Sequence, residues 1–181
     1  MDSGQKKKID SLIPVLDCDD AIGCQKARRQ LVRMGGAAVP ALIAAASNGG
    51  LTRRLEAMRA LGAIGGPQAI EALTKNLGDS DPGIRWAASD ALFRVGEPAI
   101  VPVLKALISN GRSSPFREGV HHLLIDAAVG SDPNNSILEP VITSLEESGA
   151  DLAAPVAAEI ALDKLRAFHI NSTESLKKVK Q

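Results

Sequence analysis

Apolar residues recur at a helical spacing in three short phrases of the chain. Each phrase has a small residue, then a leucine four positions later, then a large apolar residue three positions after that, followed at once by glycine. The positions i, i+4 and i+7 lie on one face of an α-helix, so each phrase predicts an amphipathic helix. The glycine predicts the end of that helix, because glycine readily adopts the left-handed conformation. The three phrases are Ala27/Leu31/Met34/Gly35, Ala57/Leu61/Ile64/Gly65 and Ala88/Leu92/Val95/Gly96.

A second apolar phrase follows each glycine, written "VPAL", "IEAL" and "VPVL", and its leucines are spaced 31 residues apart. Pro40 and Pro102 in these phrases fit the first turn of a helix, where a missing N–H costs nothing. Asp81 before Pro82 is typical of a helix N-cap. The repeating unit is therefore predicted to be helix A, a tight turn and helix B. We expect buried side chains at Leu61, Ile64, Leu73, Leu92, Val95 and Leu104.

The repeat weakens toward both ends, as expected of terminal units that must meet water. We predict one domain over 1–181, with a capping helix at about 6–18 and the best repeats at 20–109. Degenerate repeats are predicted at 111–169, where "ILEPVITSLEE" would be a B helix and "DLAAPVAAEIALDKLRAF" a further A helix. Residues 170–181 are expected to form a tail or a short helix.

The stretch "DSDPGIRWAASDALFRVGEPAIVPVLKAL" resembles the HEAT-like repeat family, in particular the short form named after phycobilisome lyases. This resemblance implies an all-α, right-handed α-solenoid, also called an α-α superhelix, of about four to five helix pairs. It also implies that the A helices form one face and that the B helices form the concave one. The resemblance is specific for architecture and leaves the function open.

Composition narrows the possible functions. Hydrophobic residues make up 45% of the chain and aromatic residues only 2%, so the core must be aliphatic. The formal net charge is +0, whereas a protein whose main task is binding nucleic acid usually has a basic excess. Neither a signal peptide nor a membrane span is predicted. The two cysteines are expected to be free thiols, which is typical of a cytoplasmic protein.

The sequence contains no recognisable catalytic or metal-binding constellation. His121 and His122 are adjacent, so on a helix they point about 100° apart and cannot chelate one ion together. No nucleophile, base and orienting group occur at a useful spacing. We therefore expect no catalytic residues, no metal, no cofactor and no enzymatic activity. Trp86 is expected to pack between repeats, with anchoring of a partner as the alternative.

Charge is distributed very unevenly along the chain. Residues 26–60 contain seven basic side chains and one acidic one, whereas residues 126–163 contain eight acidic side chains and no basic one. In a solenoid these poles should lie at opposite ends. Two interpretations remain open, a solvating surface with ion pairs such as Arg59–Asp90, and a basic patch that attracts a charged partner. The candidate patch comprises Arg28, Arg29, Arg33, Arg53, Arg54 and Arg59.

Aligning the B helices on their leucines places a stripe of small or polar residues on their outer face. The candidate partner surface comprises Glu71, Lys75, Lys105, Ser109 and Ser144. The predicted function is a non-catalytic scaffold or adaptor for protein–protein interaction, since stacked helices form a long preorganised surface. The alternatives are an accessory subunit of a bilin lyase or isomerase, which only the resemblance suggests, nucleic-acid binding through the arginine block, and self-association between the charge poles. A membrane partner is not expected.

Overall fold

A computed structural model describes residues 3–17, 20–128 and 135–178 of the chain, with side chains described as far as residue 168. These residues form two short 3₁₀ helices, Pro14–Asp17 and Gly35–Ala37, and no β-strand. They also form ten α-helices: α1 (Ser3–Leu12), α2 (Ala21–Met34), α3 (Val39–Ser47), α4 (Leu51–Ile64), α5 (Pro67–Asn76), α6 (Pro82–Val95), α7 (Glu97–Asn110), α8 (Ser114–Ala128), α9 (Asn135–Glu146) and α10 (Ala150–Lys178).

The glycine stops are where the repeated phrases place them. Gly35, Gly65 and Gly96 follow α2, α4 and α6 and have φ values of 58°, 66° and 78°. A side chain is disfavoured in this left-handed region, so glycine is the residue that ends the helix without strain. At the opposite end of α6, the Asp81 carboxylate accepts hydrogen bonds from the N–H groups of Gly83 and Ile84, which confirms the predicted N-cap.

The helices form two layers, and this arrangement is an α-solenoid. We call α2, α4, α6 and α8 the A layer, because each packs on the next in chain order. The B layer begins with α3, α5 and α7, which pack on each other and on the A helices beside them. The first helix, α1, and the 3₁₀ helix at Pro14–Asp17 cover the start of α2. The chain thus advances by one A/B pair for each repeat of the sequence pattern.

The last two helices depart from the predicted alternation. The sequence places α9 in the B layer and α10 in the A layer, but in the structure α9 packs against α8, and α10 packs against α7 and α9. Gly111 permits this arrangement, because a Cβ added there would lie 2.3 Å from the Pro155 Cγ of α10. The helix α10 therefore takes the position beside α7 that the next B helix was expected to occupy.

A single core runs along the interface of the two layers, from Ile9 to Leu165. The predicted leucines of both phrases are buried, with no measurable exposure at Leu61, Leu73, Leu92 and Leu104. Ile64 and Val95 were expected in the same core, but they are only half-buried and pack against its edge. They occupy the final turn before a glycine stop, where the helix already leaves the interface.

Small residues bring the A helices close together. A Cβ added to Gly62 in α4 would lie 2.7 Å from the Cβ of Ala91 in α6 and 2.9 Å from its Cα. Ala57, Ala60, Ala88 and Ala91 are all fully or almost fully buried in this part of the A layer. No larger side chain fits between α4 and α6 without moving one backbone away from the other.

Three local expectations differ from the structure. Pro102 lies inside α7, because that helix begins at Glu97, where Pro98 occupies the first turn instead. The predicted capping helix at about 6–18 is divided into α1 and a 3₁₀ helix. Cys24 is bonded in a disulfide and is therefore not a free thiol, while Cys18 lies outside the described residues. The expectation of free thiols was wrong, because two cysteines in a sequence do not by themselves show whether they come close enough to form a single disulfide.

Candidate functional site

A groove lies between α5 and α7 in the B layer. Its volume is about 620 Å³, and it is open to solvent along one side. Its apolar lining residues include Pro67, Ile70, Pro102, Ala106 and Phe116. Its other lining residues are Glu71, Thr74, Lys75, Gly78, Lys105, Asn110 and Ser113. We call this feature the B-layer groove.

Three of the five residues of the candidate partner surface line the B-layer groove. Glu71, Lys75 and Lys105 are exposed there, and none of them belongs to an ion pair among the described residues. Ser109 is exposed on α7 but does not line the groove, and its hydroxyl donates to the Lys105 carbonyl at 3.4 Å.

Ser144 does not belong to an open surface. It is only 8% exposed, and its hydroxyl donates to the carbonyl of Val141 at 2.7 Å. The prediction was wrong because it assigned α9 to the B layer, whereas α9 packs between α8 and α10. A residue on the expected outer face is thereby turned inward.

The Thr74 side chain is the most unusual polar group in the B-layer groove. Thr74 is 6% exposed, and its hydroxyl has no hydrogen-bond partner among the described residues. A buried hydroxyl without a partner costs roughly 1–3 kcal/mol, so such groups are usually satisfied. Thr74 is one of the residues that line the groove, but its hydroxyl oxygen is itself buried.

Thr74 and Phe116 line the B-layer groove but were not predicted from the sequence. Phe116 belongs to α8, a helix of the A layer, and its ring reaches the groove because Gly78 leaves room for it. A Cβ added to Gly78 would lie 3.2 Å from the Phe116 Cδ2. A feature of the sequence that could have drawn attention to Phe116 is that the chain contains only three phenylalanines.

The candidate basic patch is divided into paired and unpaired arginines. Four of its members form ion pairs, two of them with the buried carboxylate of Glu56 and two with Asp17 and Asp79. The pairs are Arg28–Glu56 at 2.7 Å, Arg59–Glu56, Arg53–Asp17 at 3.1 Å and Arg54–Asp79. Arg29 and Arg33 are exposed and belong to no ion pair within the described part of the chain.

The pairing across the A layer also differs from expectation. Arg28 and Arg59, from neighbouring A helices, line one groove. Arg59 and Asp90 line one groove, as their equivalent positions suggest, but Asp90 pairs with Arg94 at 3.1 Å and Arg59 pairs with Glu56. Arg59 and Asp90 each pair with an oppositely charged side chain of their own helix instead of with each other.

A second, regular role of arginine appears at the start of successive A helices. Arg54, Arg85 and Arg117 each donate to a carbonyl of the preceding linker or helix end. The acceptors are Ala46 at 2.9 Å, Asp79 at 2.9 Å and Gly111 at 2.6 Å, respectively. These arginines therefore join one repeat to the next.

Two overlapping stretches of the chain, residues 9–82 and 39–125, match the sequence pattern of HEAT repeats. The chain belongs to the HEAT-repeat family. This match covers more than half of the chain and agrees with the A and B layers described above. The arginine bonds to the linkers are consequently bonds between consecutive HEAT repeats.

The chain is also similar to the phycocyanobilin lyase subunit alpha of Picosynechococcus sp., with 28% identity over 130 residues. The aligned region is 68% of this chain and 44% of the relative, so the chain spans less than half of that protein's length. More than half of that protein lies outside the aligned region.

Trp86 lies on the exposed side of the third HEAT repeat's A helix. It is 64% exposed, and its ring centroid lies 4.1 Å from that of His122 in α8, with 48° between the ring planes. The contact joins neighbouring repeats, as expected, yet most of the indole remains in solvent. The His122 Nε2 lies 3.7 Å from the Asp126 Oδ2. Within the described residues, no group of three or more His, Cys, Asp or Glu side chains could hold a metal ion.

No helix of the described region is both long enough and apolar enough to cross a bilayer. The surfaces of the HEAT repeats are helix faces and grooves of a two-layer array. Of these, the B-layer groove combines apolar walls, unpaired charges and an unsatisfied hydroxyl.

Asp79 is the electrostatic centre of the joint between the second and third HEAT repeats. Its partial burial raises the pKa, but this effect is outweighed by the Arg54 hydrogen bond, the Asp81 N–H at 2.9 Å and the nearby charges of Arg54 and Arg85. The pKa of Asp79 therefore lies below its ordinary value of 3.8. A lowered carboxyl pKa stabilises the fold above that ordinary value, and the stabilisation is lost as pH falls through the folded-state pKa.

We predict that Asp79→Asn lowers the free energy of unfolding by roughly 1–3 kcal/mol at neutral pH, the usual range for hydrogen bonds to a charged group. The difference from the wild type should shrink as the pH falls below 3.8, because protonation then removes the same charge from the wild type. Urea unfolding across this pH range measures the difference.

The matched control is Asp90→Asn, which removes an exposed carboxylate that pairs only with Arg94 in its own helix. Its cost should stay below about 1 kcal/mol. A loss for Asp79→Asn that is independent of pH would show that the Asp79 charge does not stabilise this joint.

Proposed function

We propose that this HEAT-repeat protein is a non-catalytic scaffold that binds a segment of another polypeptide in the B-layer groove. The carrying observation is the B-layer groove itself, in which apolar residues lie beside Glu71, Lys75 and Lys105, exposed side chains that belong to no ion pair among the described residues. A polypeptide segment can present apolar and charged side chains together, so it can match both features of the groove.

The apolar lining of the B-layer groove supports the same proposal. Ile70 and Phe116 are buried in the free protein, whereas Pro67 is exposed and Ala106 is half-exposed. A ligand side chain that covers these atoms removes apolar surface from water, which contributes about 25 cal/mol for each Å². The helices α5 and α7 are fixed by the core, so little ordering entropy is lost on binding.

The charges at the B-layer groove favour an acidic segment. Lys75 and Lys105 provide two cations and Glu71 provides one anion, and all three side chains are exposed. A partner carboxylate near either lysine would gain a favourable interaction and would be attracted during encounter. The expected ligand is therefore a segment with apolar side chains and at least one carboxylate.

The arginine block gives less support to nucleic-acid binding. Arg28, Arg53, Arg54 and Arg59 are already paired with carboxylates, and an arginine in such a pair is less available to a phosphate. The unpaired cations of the block are Lys26, Arg29 and Arg33, which form a single helix face rather than an extended track.

A role as an accessory subunit of a bilin lyase is the second candidate. The likeness to a phycocyanobilin lyase subunit suggests it, and the B-layer groove has apolar walls beside two unpaired lysines that could receive carboxylates. Titration with phycocyanobilin, followed by visible absorbance, tests this candidate. A saturable spectral change that Ala106→Trp abolishes would support it, and an unchanged spectrum would count against it.

We predict that Ala106→Trp removes peptide binding without unfolding the protein. Ala106 is half-exposed and lines the B-layer groove, so an indole there would fill the space that a ligand needs. Selection from a displayed random peptide library should enrich acidic, apolar sequences on the wild type. The affinity of these peptides for Ala106→Trp should be at least about tenfold lower, a change of 1.4 kcal/mol.

Ala44→Trp is the matched control for this variant. Ala44 is the equivalent alanine two repeats earlier, exposed on α3 and outside the groove. It should bind the selected peptides like the wild type. Equal binding by Ala106→Trp, with native helicity by circular dichroism, would place the peptide site elsewhere.

Thr74→Val tests the cost of the buried Thr74 hydroxyl. Valine keeps the shape of the side chain and removes the unsatisfied hydroxyl, so the free protein should become more stable by up to roughly 1–3 kcal/mol. The selected peptides should bind this variant like the wild type, because the hydroxyl oxygen is buried beneath the groove surface. A lower free energy of unfolding for Thr74→Val would show that the hydroxyl does have a partner in the folded protein.

A further inference from the structure

The outer face of α10 is an unusual surface for the end of a helical array. Leu152, Val156 and Ile160 are 65%, 56% and 52% exposed, and their i, i+4, i+8 spacing aligns them in a stripe about 12 Å long. The buried residues of the same helix, such as Ala154, Ala158 and Leu162, lie on its opposite side. The stripe is therefore not part of the core of this chain.

The neighbours of α10 leave this stripe uncovered. The helix packs against α7 on one side and against α9 on another, whereas α5 and α7 earlier in the B layer have a B-layer neighbour on both sides. A contiguous row of exposed large aliphatic residues is a common mark of an interaction surface.

Acidic side chains border the stripe. Asp151, Glu159 and Asp163 are exposed on α10, and only Asp163 has a cationic partner within the described residues, Arg166 at 3.1 Å. Asp151 and Glu159 are eight residues apart, which corresponds to about 12 Å along the helix. A partner for this face should therefore be a helix that carries both apolar and basic residues.

The other end of the array carries a helix face with these properties. On α2, Ile22, Lys26, Arg29 and Arg33 follow the i, i+4, i+7, i+11 spacing of one face, and all four are exposed. They lie opposite the buried side of α2, and Lys26, Arg29 and Arg33 belong to no ion pair of the described chain. Lys26 and Arg33 are about 10 Å apart along the helix, close to the spacing of the two acids.

We propose that the apolar, acid-bordered face of α10 is the docking surface for the basic outer face of α2 in a second copy of this chain. The two faces lie at opposite ends of one molecule, so the contact is head to tail and leaves a free face at each end of the assembly. One helix on one helix buries a small area, below about 1,200 Å² in total, and the association is accordingly weak and dependent on concentration. This surface is separate from the B-layer groove.

The test is sedimentation of the full chain over a wide concentration range at about 0.02 M and about 0.5 M salt. The mean mass should rise with concentration beyond that of a dimer at low salt, and less at high salt, where opposite charges are screened. A monomer at every concentration would overturn the proposal.

Charge reversal then identifies the two faces. Arg29→Glu with Arg33→Glu gives an α2 variant, and Asp151→Lys with Glu159→Lys gives an α10 variant. Each should remain monomeric alone, because like charges then oppose one another at the only available contact. An equimolar mixture of the two should associate again, since each reversed face finds a reversed partner.

The control is Asp90→Lys with Glu97→Lys, which changes the net charge as much as the α10 variant but in the middle of the array. It should associate like the wild type. Association that survives in both end variants, or a mixture that stays monomeric, would contradict the pairing of these faces.

Discussion

The close contact between consecutive A helices is the constraint on which the rest of the structure depends. Gly62 in α4 faces Ala91 in α6 at a distance that no larger pair of residues could reach. Because each B helix follows its A helix after a glycine stop with a fixed left-handed φ, the separation of α4 and α6 also sets the separation of α5 and α7. The close packing of α4 and α6 in the A layer therefore determines the width of the B-layer groove.

Arginines reinforce this contact at the joints between repeats. The side chains of Arg54, Arg85 and Arg117 donate hydrogen bonds to carbonyl groups of the linkers and helix ends. Two of these arginines, Arg54 and Arg85, also interact with the carboxylate of Asp79. Much of the basic block is thereby used within the fold, which leaves a much smaller free charge than the sequence suggests. Unpaired charges remain at the B-layer groove and on the outer faces of α2 and α10, which are the surfaces proposed to bind partners.

The local features of the fold could be predicted from the sequence because they depend on neighbouring residues. The glycine stops, the Asp81 cap and the buried leucines such as Leu92 each require only helical periodicity and cap chemistry. The position of α10 could not be predicted in this way, since it depends on Gly111 meeting Pro155 some forty residues later. The exclusion of Ser144 from the surface follows from the same contact.

The candidate site was predictable to a similar extent. Glu71, Lys75 and Lys105 were found by aligning B helices, whose outer faces follow from the repeat. Thr74 was not found, because the lack of a hydrogen-bond partner for its hydroxyl is visible only in the structure. Phe116 was not found, because it reaches the groove from a helix of the A layer. Likewise, the sequence contained the arginines, but only the three-dimensional arrangement shows that Glu56 binds both Arg28 and Arg59.

The most direct test of the central contact is the free energy of unfolding of Gly62→Leu, compared with Ala63→Leu at the exposed neighbouring position. Leucine is a better helix former than glycine, so local propensity alone would stabilise the first variant. If α4 and α6 meet as closely as described, Gly62→Leu should instead lose about 1–3 kcal/mol through overpacking, while Ala63→Leu should remain within about 0.5 kcal/mol of the wild type. A Gly62→Leu variant as stable as the wild type would contradict the account.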